Sequence, residues 1–123
     1  MLVADSERIA CFDVDQTLIF WDYDKEYDPE QSIEITCPHD GEVTYHSAHK
    51  KHIHFLKKLK ARGLFIIVWS SNGTAWAETV ARSLGLEKYV DFVMSKPEKI
   101  IDDLPNSSDI IPRPIYLKGG KDE

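Results

Sequence analysis

The stretch Arg8-Ile9-Ala10-Cys11-Phe12-Asp13-Val14-Asp15-Gln16-Thr17 constrains the chain most: a short apolar run ends in two carboxylates, and a hydroxyl residue follows. Apolar character this continuous predicts a central strand of a parallel sheet over residues 8–12. Side chains alternate along a strand, so Asp13 and Asp15 share a face if the strand runs through both. If it stops at Asp13, both carboxylates crowd the loop at its carboxyl end, where open α/β sheets bind ligands. Close carboxylates repel, so one holds a proton or a cation sits between them. A hard cation with oxygen ligands, Mg²⁺ above all, meets that demand. The bland alternative is a turn after a buried strand, with the aspartates making local hydrogen bonds.

Further along, residues 22–30 are polar and acidic and supply no core. Ser32-Ile33-Glu34-Ile35-Thr36-Cys37 alternates with period two, Asp40-Gly41 offers a tight turn, and residues 42–46 return. An insertion over about residues 21–46, carrying a small β-hairpin, is therefore expected. Ser47 is the expected N-cap of a helix through Arg62, with Gly63 as its stop. Ile53, Phe55, Leu56 and Leu59 form the buried stripe of that helix, and its lysines are solvated. Leu64-Phe65-Ile66-Ile67-Val68-Trp69 is the clearest buried strand, ending at Ser70-Ser71-Asn72-Gly73. A helix over 74–84 follows, then a strand over 89–94 ending at Ser95-Lys96-Pro97. A short fourth strand over 99–101 ends at Asp102-Asp103, residues 105–114 are turn-rich, and 115–117 reads as a last edge strand. Strands alternating with helices predict an α/β fold, a Rossmann-like parallel sheet with helices on both faces.

At 123 residues the chain makes one domain, 1–123. Its net charge of −6 removes bulk attraction to nucleic acid or anionic membrane. No apolar run is long enough to span a bilayer, and the first residues do not read as a signal peptide. Cys11 and Cys37 read as reduced thiols, and the expected location is cytoplasmic.

The informative pattern lies in what terminates each strand: Asp13-x-Asp15, Ser70-Ser71-Asn72, Lys96 and Asp102-Asp103 in turn. In a parallel sheet these ends share one edge, so the groups converge into a phosphoryl-transfer set. The set resembles the haloacid dehalogenase-like (HAD) hydrolase superfamily, whose first motif, Asp-x-Asp-x-Thr after a strand, is matched by Asp13-Val14-Asp15-Gln16-Thr17. Ser70 resembles the second motif, Lys96 in Ser-Lys-Pro the third, and Asp102-Asp103 the fourth, in the right order over residues 8–104. The phrases Val-Trp-Ser-Ser-Asn-Gly, Ser-Lys-Pro and Ile-Asp-Asp resemble small, minimal-cap members of phage and bacterial type. Gln16 stands where Gly is common in the family. Only six positions separate Lys96 from Asp102, too few for the family's connecting helix, so the crossing demands a short fourth strand.

The resemblance implies a Mg²⁺-dependent phosphomonoester hydrolase that works through an aspartyl-phosphate. Asp13 would attack phosphorus, and Asp15 would protonate the leaving oxygen and then activate water. Ser70, with Ser71 and Asn72, would bind the phosphate, and Lys96 would neutralise charge. The metal would lie between Asp13, the Asp15 carbonyl and the Asp102-Asp103 pair, Asp103 more directly. A cap this small leaves room for a bulky phosphorylated substrate such as a nucleic acid or protein terminus, whereas a small molecule would need closure by another subunit. The alternatives are a 3′-phosphatase on nucleic acid ends and an inactive HAD-like binding module that kept the metal site. Cys37, His39, His46, His49, His52 and His54 have some zinc-like spacing, but the solvated reading is preferred. Trp21 could stack a base or pack the insertion, while Trp69 and Trp76 are expected in the core.

Overall fold

A computed structural model describes residues 1, 3–4, 7–103 and 113–118. The elements run β1 (Ile9–Asp13), β2 (Ile19–Trp21), β3 (Ile33–Thr36), β4 (Val43–Ala48), α1 (Lys50–Ala61), β5 (Phe65–Ser70), α2 (Thr74–Ser83) and β6 (Phe92–Ser95). They form two sheets, a parallel one in the order β1-β5-β6 and an antiparallel one in the order β2-β4-β3. The α/β class and the insertion after the first strand are as the sequence predicts. The insertion is larger than a hairpin, however. It begins at Ile19, where β2 pairs Ile19 with Ala48 and Trp21 with His46, so three strands rather than two make the sheet. Ser47 belongs to β4 and is buried, its Oγ accepting from the Asp28 N–H at 3.0 Å. His49 caps α1 instead, its Nδ1 accepting from the His52 N–H.

The parallel sheet has unlike faces. Ala10 and Phe12, Ile66 and Val68, and Val93 share one face by register, and all join one core. Leu56 from α1 and Trp76, Ala77 and Val80 from α2 complete that core. The alternate residues Ile9, Cys11, Ile67, Trp69, Phe92 and Met94 are half-buried or exposed, and none of them joins it. Both steps β1→β5→β6 run in one direction across the sheet. Right-handed crossovers then put both helices on the same face, which corrects the expectation of helices on both faces.

Residues 99–101 do not form the fourth strand. Among the described residues β1 is an edge strand, and Ile101 is 92% exposed. The six-residue link is the physical reason, since a chain leaving β6 cannot return to the far side of β1 and lie parallel there. Residues 115–117 also make no strand. They run past α1, where the Leu117 N–H donates to His52 Nε2 at 2.9 Å. Of the turn-rich stretch 105–114, residues 105–112 lie outside the described residues. The strand expected at 89–94 starts later, because Asp91 closes its entry by accepting from the Ile66 N–H at 2.8 Å and from Lys60 Nζ at 2.7 Å.

Candidate active site

β1 ends at Asp13, so Asp15 belongs to the following loop and the two carboxylates take different partners. The loop is closed by the Val14 carbonyl, which accepts from Thr17, Leu18 and Ile19, and by Gln16 N–H donating to the Ile19 carbonyl at 2.8 Å. Fully buried Val14 and Leu18 anchor it from below. Gln16 pays for the tight path with a φ of +62°, the left-handed region where glycine is favoured. Its side chain is tethered on both ends, Nε2 donating to Asp24 Oδ2 and Oε1 accepting from the Trp21 N–H. That accounts for a glutamine where a glycine is otherwise suited.

Asp13 keeps polar company. Thr17 Oγ1 donates to its Oδ2 at 3.1 Å, and Lys96 Nζ lies 3.2 Å from its Oδ1. Lys96 directly follows β6, two strands away, and its backbone N–H bonds the Ser70 carbonyl at 2.9 Å. The sheet order therefore lets a long cationic side chain reach across β5 to β1. The Asp13 side chain is 30% exposed, open to a ligand from solvent.

Asp15 is held differently. Its Oδ1 accepts from Trp21 Nε1 at 2.9 Å and Trp76 Nε1 at 3.1 Å, and its Oδ2 accepts from Asn72 Nδ2 at 2.7 Å. The two indoles stack, with centroids 5.7 Å apart. Trp76 is in the core as expected, but its indole N–H reaches the site, a role that no periodicity or spacing announces. Asn72 contacts Asp15 rather than standing free for phosphate. His46 supports Trp21 edge-on at 4.4 Å and is wholly buried, and burial lowers its pKa below the usual value.

The Ser70 loop closes beside them. Ser70 is buried, and its Oγ accepts from the Asn72 N–H at 3.0 Å, which leaves its own O–H free to donate. Ser71 is exposed. Gly73, at φ +104°, is the N-cap residue of α2 and supplies no side-chain cap, so the backbone turns there as only glycine does easily.

A buried histidine pair underlies the first loop. His49 and His52 stack with centroids 3.7 Å apart. His52 Nδ1 donates to the Thr17 carbonyl at 2.7 Å while its Nε2 accepts from Leu117, which fixes a neutral tautomer. The His49 N–H donates to the Leu18 carbonyl at 2.8 Å. Burial, reinforced by the neighbouring His52, lowers the His49 pKa from 6.5 to about 4, and burial likewise lowers that of His52. His46, His49 and His52 are thus core residues, which corrects the solvated reading, whereas His39 and His54 are exposed.

Among the described residues no three His, Cys, Asp or Glu side chains converge as a metal set, the zinc candidates and the Asp102-Asp103 pair included. Asp102 and Asp103 are exposed, in the chain after Ile101. A magnesium ion nonetheless fits what is present. The half-exposed Asp13 carboxylate and an Asp15 carbonyl that accepts no hydrogen bond among the described residues offer two hard oxygens. Mg²⁺ usually completes its shell with water and substrate phosphate. No family model matches the chain, and no curated protein or solved structure matches it either.

Proposed function

We propose that this chain is a Mg²⁺-dependent phosphomonoester hydrolase of the haloacid dehalogenase-like kind, acting through an aspartyl-phosphate on Asp13. The observation that carries the reading is the pairing of two unlike aspartates at the carboxyl edge of a parallel sheet, one beside Lys96 and one gripped by three N–H donors. An Asp13 oxygen attacks phosphorus, the bond from phosphorus to the leaving oxygen breaks, and Asp15 delivers a proton to that oxygen. A water oxygen then attacks phosphorus while Asp15 takes its proton, and the bond to Asp13 breaks to release phosphate. Lys96 balances charge on Asp13 and the phosphoryl group, and Ser70 has an O–H to donate. Bound to Asp13 and the Asp15 carbonyl, Mg²⁺ would supply charge neutralisation at the phosphoryl oxygens. Asp103, or Asp102 beside it, would join as a ligand only after the segment beyond β6 moves inward.

That exposed acidic pair supports a second reading, a binding module without turnover. A panel of phosphomonoesters that includes 3′-phosphorylated oligonucleotides, assayed with and without Mg²⁺, tests both. Metal-dependent phosphate release that Asp13→Asn removes supports the hydrolase. Equal release from wild type and Asp13→Asn overturns it, and binding without release supports the module.

A further inference from the structure

A cavity of about 320 Å³ opens next to the side chains that hold Asp15, and Asp15 itself is not part of its lining. Trp21, Trp76 and Asn72, the three side chains that grip Asp15, all line it. The insertion supplies the opposite wall, where His39, Asp40 and Glu42 stand on the turn between β3 and β4. This volume is at the small end of ligand sites, about 300–1,000 Å³, enough for one ring system and too little for a duplex end.

We propose that this cavity binds the base of a small nucleoside monophosphate, one whose base carries an exocyclic amino group. The inference rests on the hydrolase reading for its orientation: Asp15 protonates the leaving oxygen, so the leaving group lies on the Asp15 side. Trp21, Trp76 and Asn72 connect that carboxylate to the cavity. Indole walls favour a flat ring. The turn offers acceptors to amino protons. The Asp40 carboxylate accepts from the Glu42 N–H at 2.9 Å, while the Glu42 carboxylate makes no hydrogen bond among the described residues. Carboxylates disfavour a base edge flanked by carbonyl oxygens, such as uracil's with its single N3–H donor between them, and with Asp22 near His46 they repel a polyanionic strand. Beyond the indoles, Tyr23 stacks on Trp21 at 6.0 Å and is 77% exposed, extending the aromatic wall outward.

The test separates the base site from the chemistry. Unphosphorylated adenosine, cytidine and uridine are titrated into the full chain while tryptophan fluorescence is followed, and AMP, UMP, glycerol phosphate and a 3′-phosphorylated oligonucleotide are assayed for phosphate release. The proposal expects quenching by adenosine and cytidine, weaker quenching by uridine, and kcat/KM for AMP roughly tenfold above glycerol phosphate, since stacking of one base is worth about 1–3 kcal/mol. Glu42→Gln, an exposed turn substitution, should raise KM for AMP and narrow the gap to UMP with kcat little changed. Absence of quenching by any nucleoside overturns the base site, even if phosphatase activity is found. So does glycerol phosphate or the oligonucleotide turning over as efficiently as AMP. Quenching with no release from any substrate leaves the base site standing and overturns the hydrolase reading instead.

Discussion

Asp13 and Asp15 are separated by one residue, yet each answers to a different part of the molecule. Asp13 ends a strand and depends on the parallel sheet, which brings Lys96 across two strand positions to its oxygen. Asp15 sits off the strand and depends on the junction between sheet and insertion, since Trp21 comes from β2, Asn72 from the loop after β5 and Trp76 from α2. One carboxylate is partly open to solvent beside a cation on a long side chain, as suits a nucleophile. The other is fixed in direction by N–H donors on both oxygens, as suits the carboxylate that takes the proton of water in the second proposed step. Sequence neighbours thus meet different surroundings, and the proposed roles divide along that difference.

The sharpest way to break this comparison is to neutralise each acid separately. Asp13→Asn should abolish turnover for every substrate, by more than the roughly 10²–10⁴-fold that losing a general acid–base group costs. In kcat/KM, which ends at phosphoryl transfer, Asp15→Asn should fall within that range for alkyl esters but less for aryl phosphates, whose leaving groups need no proton. Its kcat should fall for both, because the shared intermediate loses its base. Steady-state rates on paired alkyl and aryl substrates check this, and equal losses for both aspartates on both substrates would erase the proposed difference.

Acid should weaken the support beneath the first loop, because protonation removes the His49 Nδ1 acceptor that caps α1 and the His52 Nε2 acceptor of the Leu117 N–H. The His49 pKa is lowered in the folded state to about 4. Between that value and the unfolded value near 6.5, the unfolded chain therefore binds more protons. The stabilisation is complete above about pH 6.5 and is lost as pH falls toward 4, amounting to roughly 3 kcal/mol at about 1.4 kcal/mol per unit. Urea unfolding at pH 7.5 and pH 4.5 measures it, and His49→Asn, which keeps a capping acceptor, should flatten the dependence. Gln16→Ala keeps the left-handed backbone and removes both tethers, so it should cost about 1–2 kcal/mol. The smallest effect is expected from Trp21→Phe, which keeps a ring but removes one of two N–H donors to Asp15 Oδ1. A roughly tenfold fall in kcat, with melting temperature nearly unchanged, is its signature.

Much of this was legible in the sequence, for identifiable reasons. The β1 and β5 runs, the insertion, both helices and the Asp13–Lys96 convergence follow from apolar patterning and strand ends. What escaped it depends on contacts distant in sequence. The run Ile66-Ile67-Val68-Trp69 reads as buried on both sides. Only topology tells that Ile66 and Val68 meet helices while Ile67 and Trp69 lie on the face outside that core. His52 lies among lysines and looks solvated, but the neutral ring is sealed because it bridges Thr17 and Leu117. Trp76 reads as core and is core; that its single polar atom reaches Asp15 depends on the Gly73 turn aiming α2 at the loop. The fourth strand fails because hydrophobicity alone nominates Ile100 and Ile101 without asking where the connecting chain can reach.

In the proposed mechanism Asp13 bonds phosphorus and Asp15 carries the proton. Mass spectrometry of Asp15→Asn, mixed with Mg²⁺ and an aryl phosphate and quenched in acid, tests it most directly. Phosphoryl transfer to Asp13 needs no acid with that leaving group, whereas hydrolysis of the intermediate needs the missing base. One phosphoryl group is expected to accumulate on the peptide that carries Asp13, and none in the Asp13→Asn, Asp15→Asn double variant. Phosphate release without any labelled Asp13, or a label that survives Asp13→Asn, would contradict it.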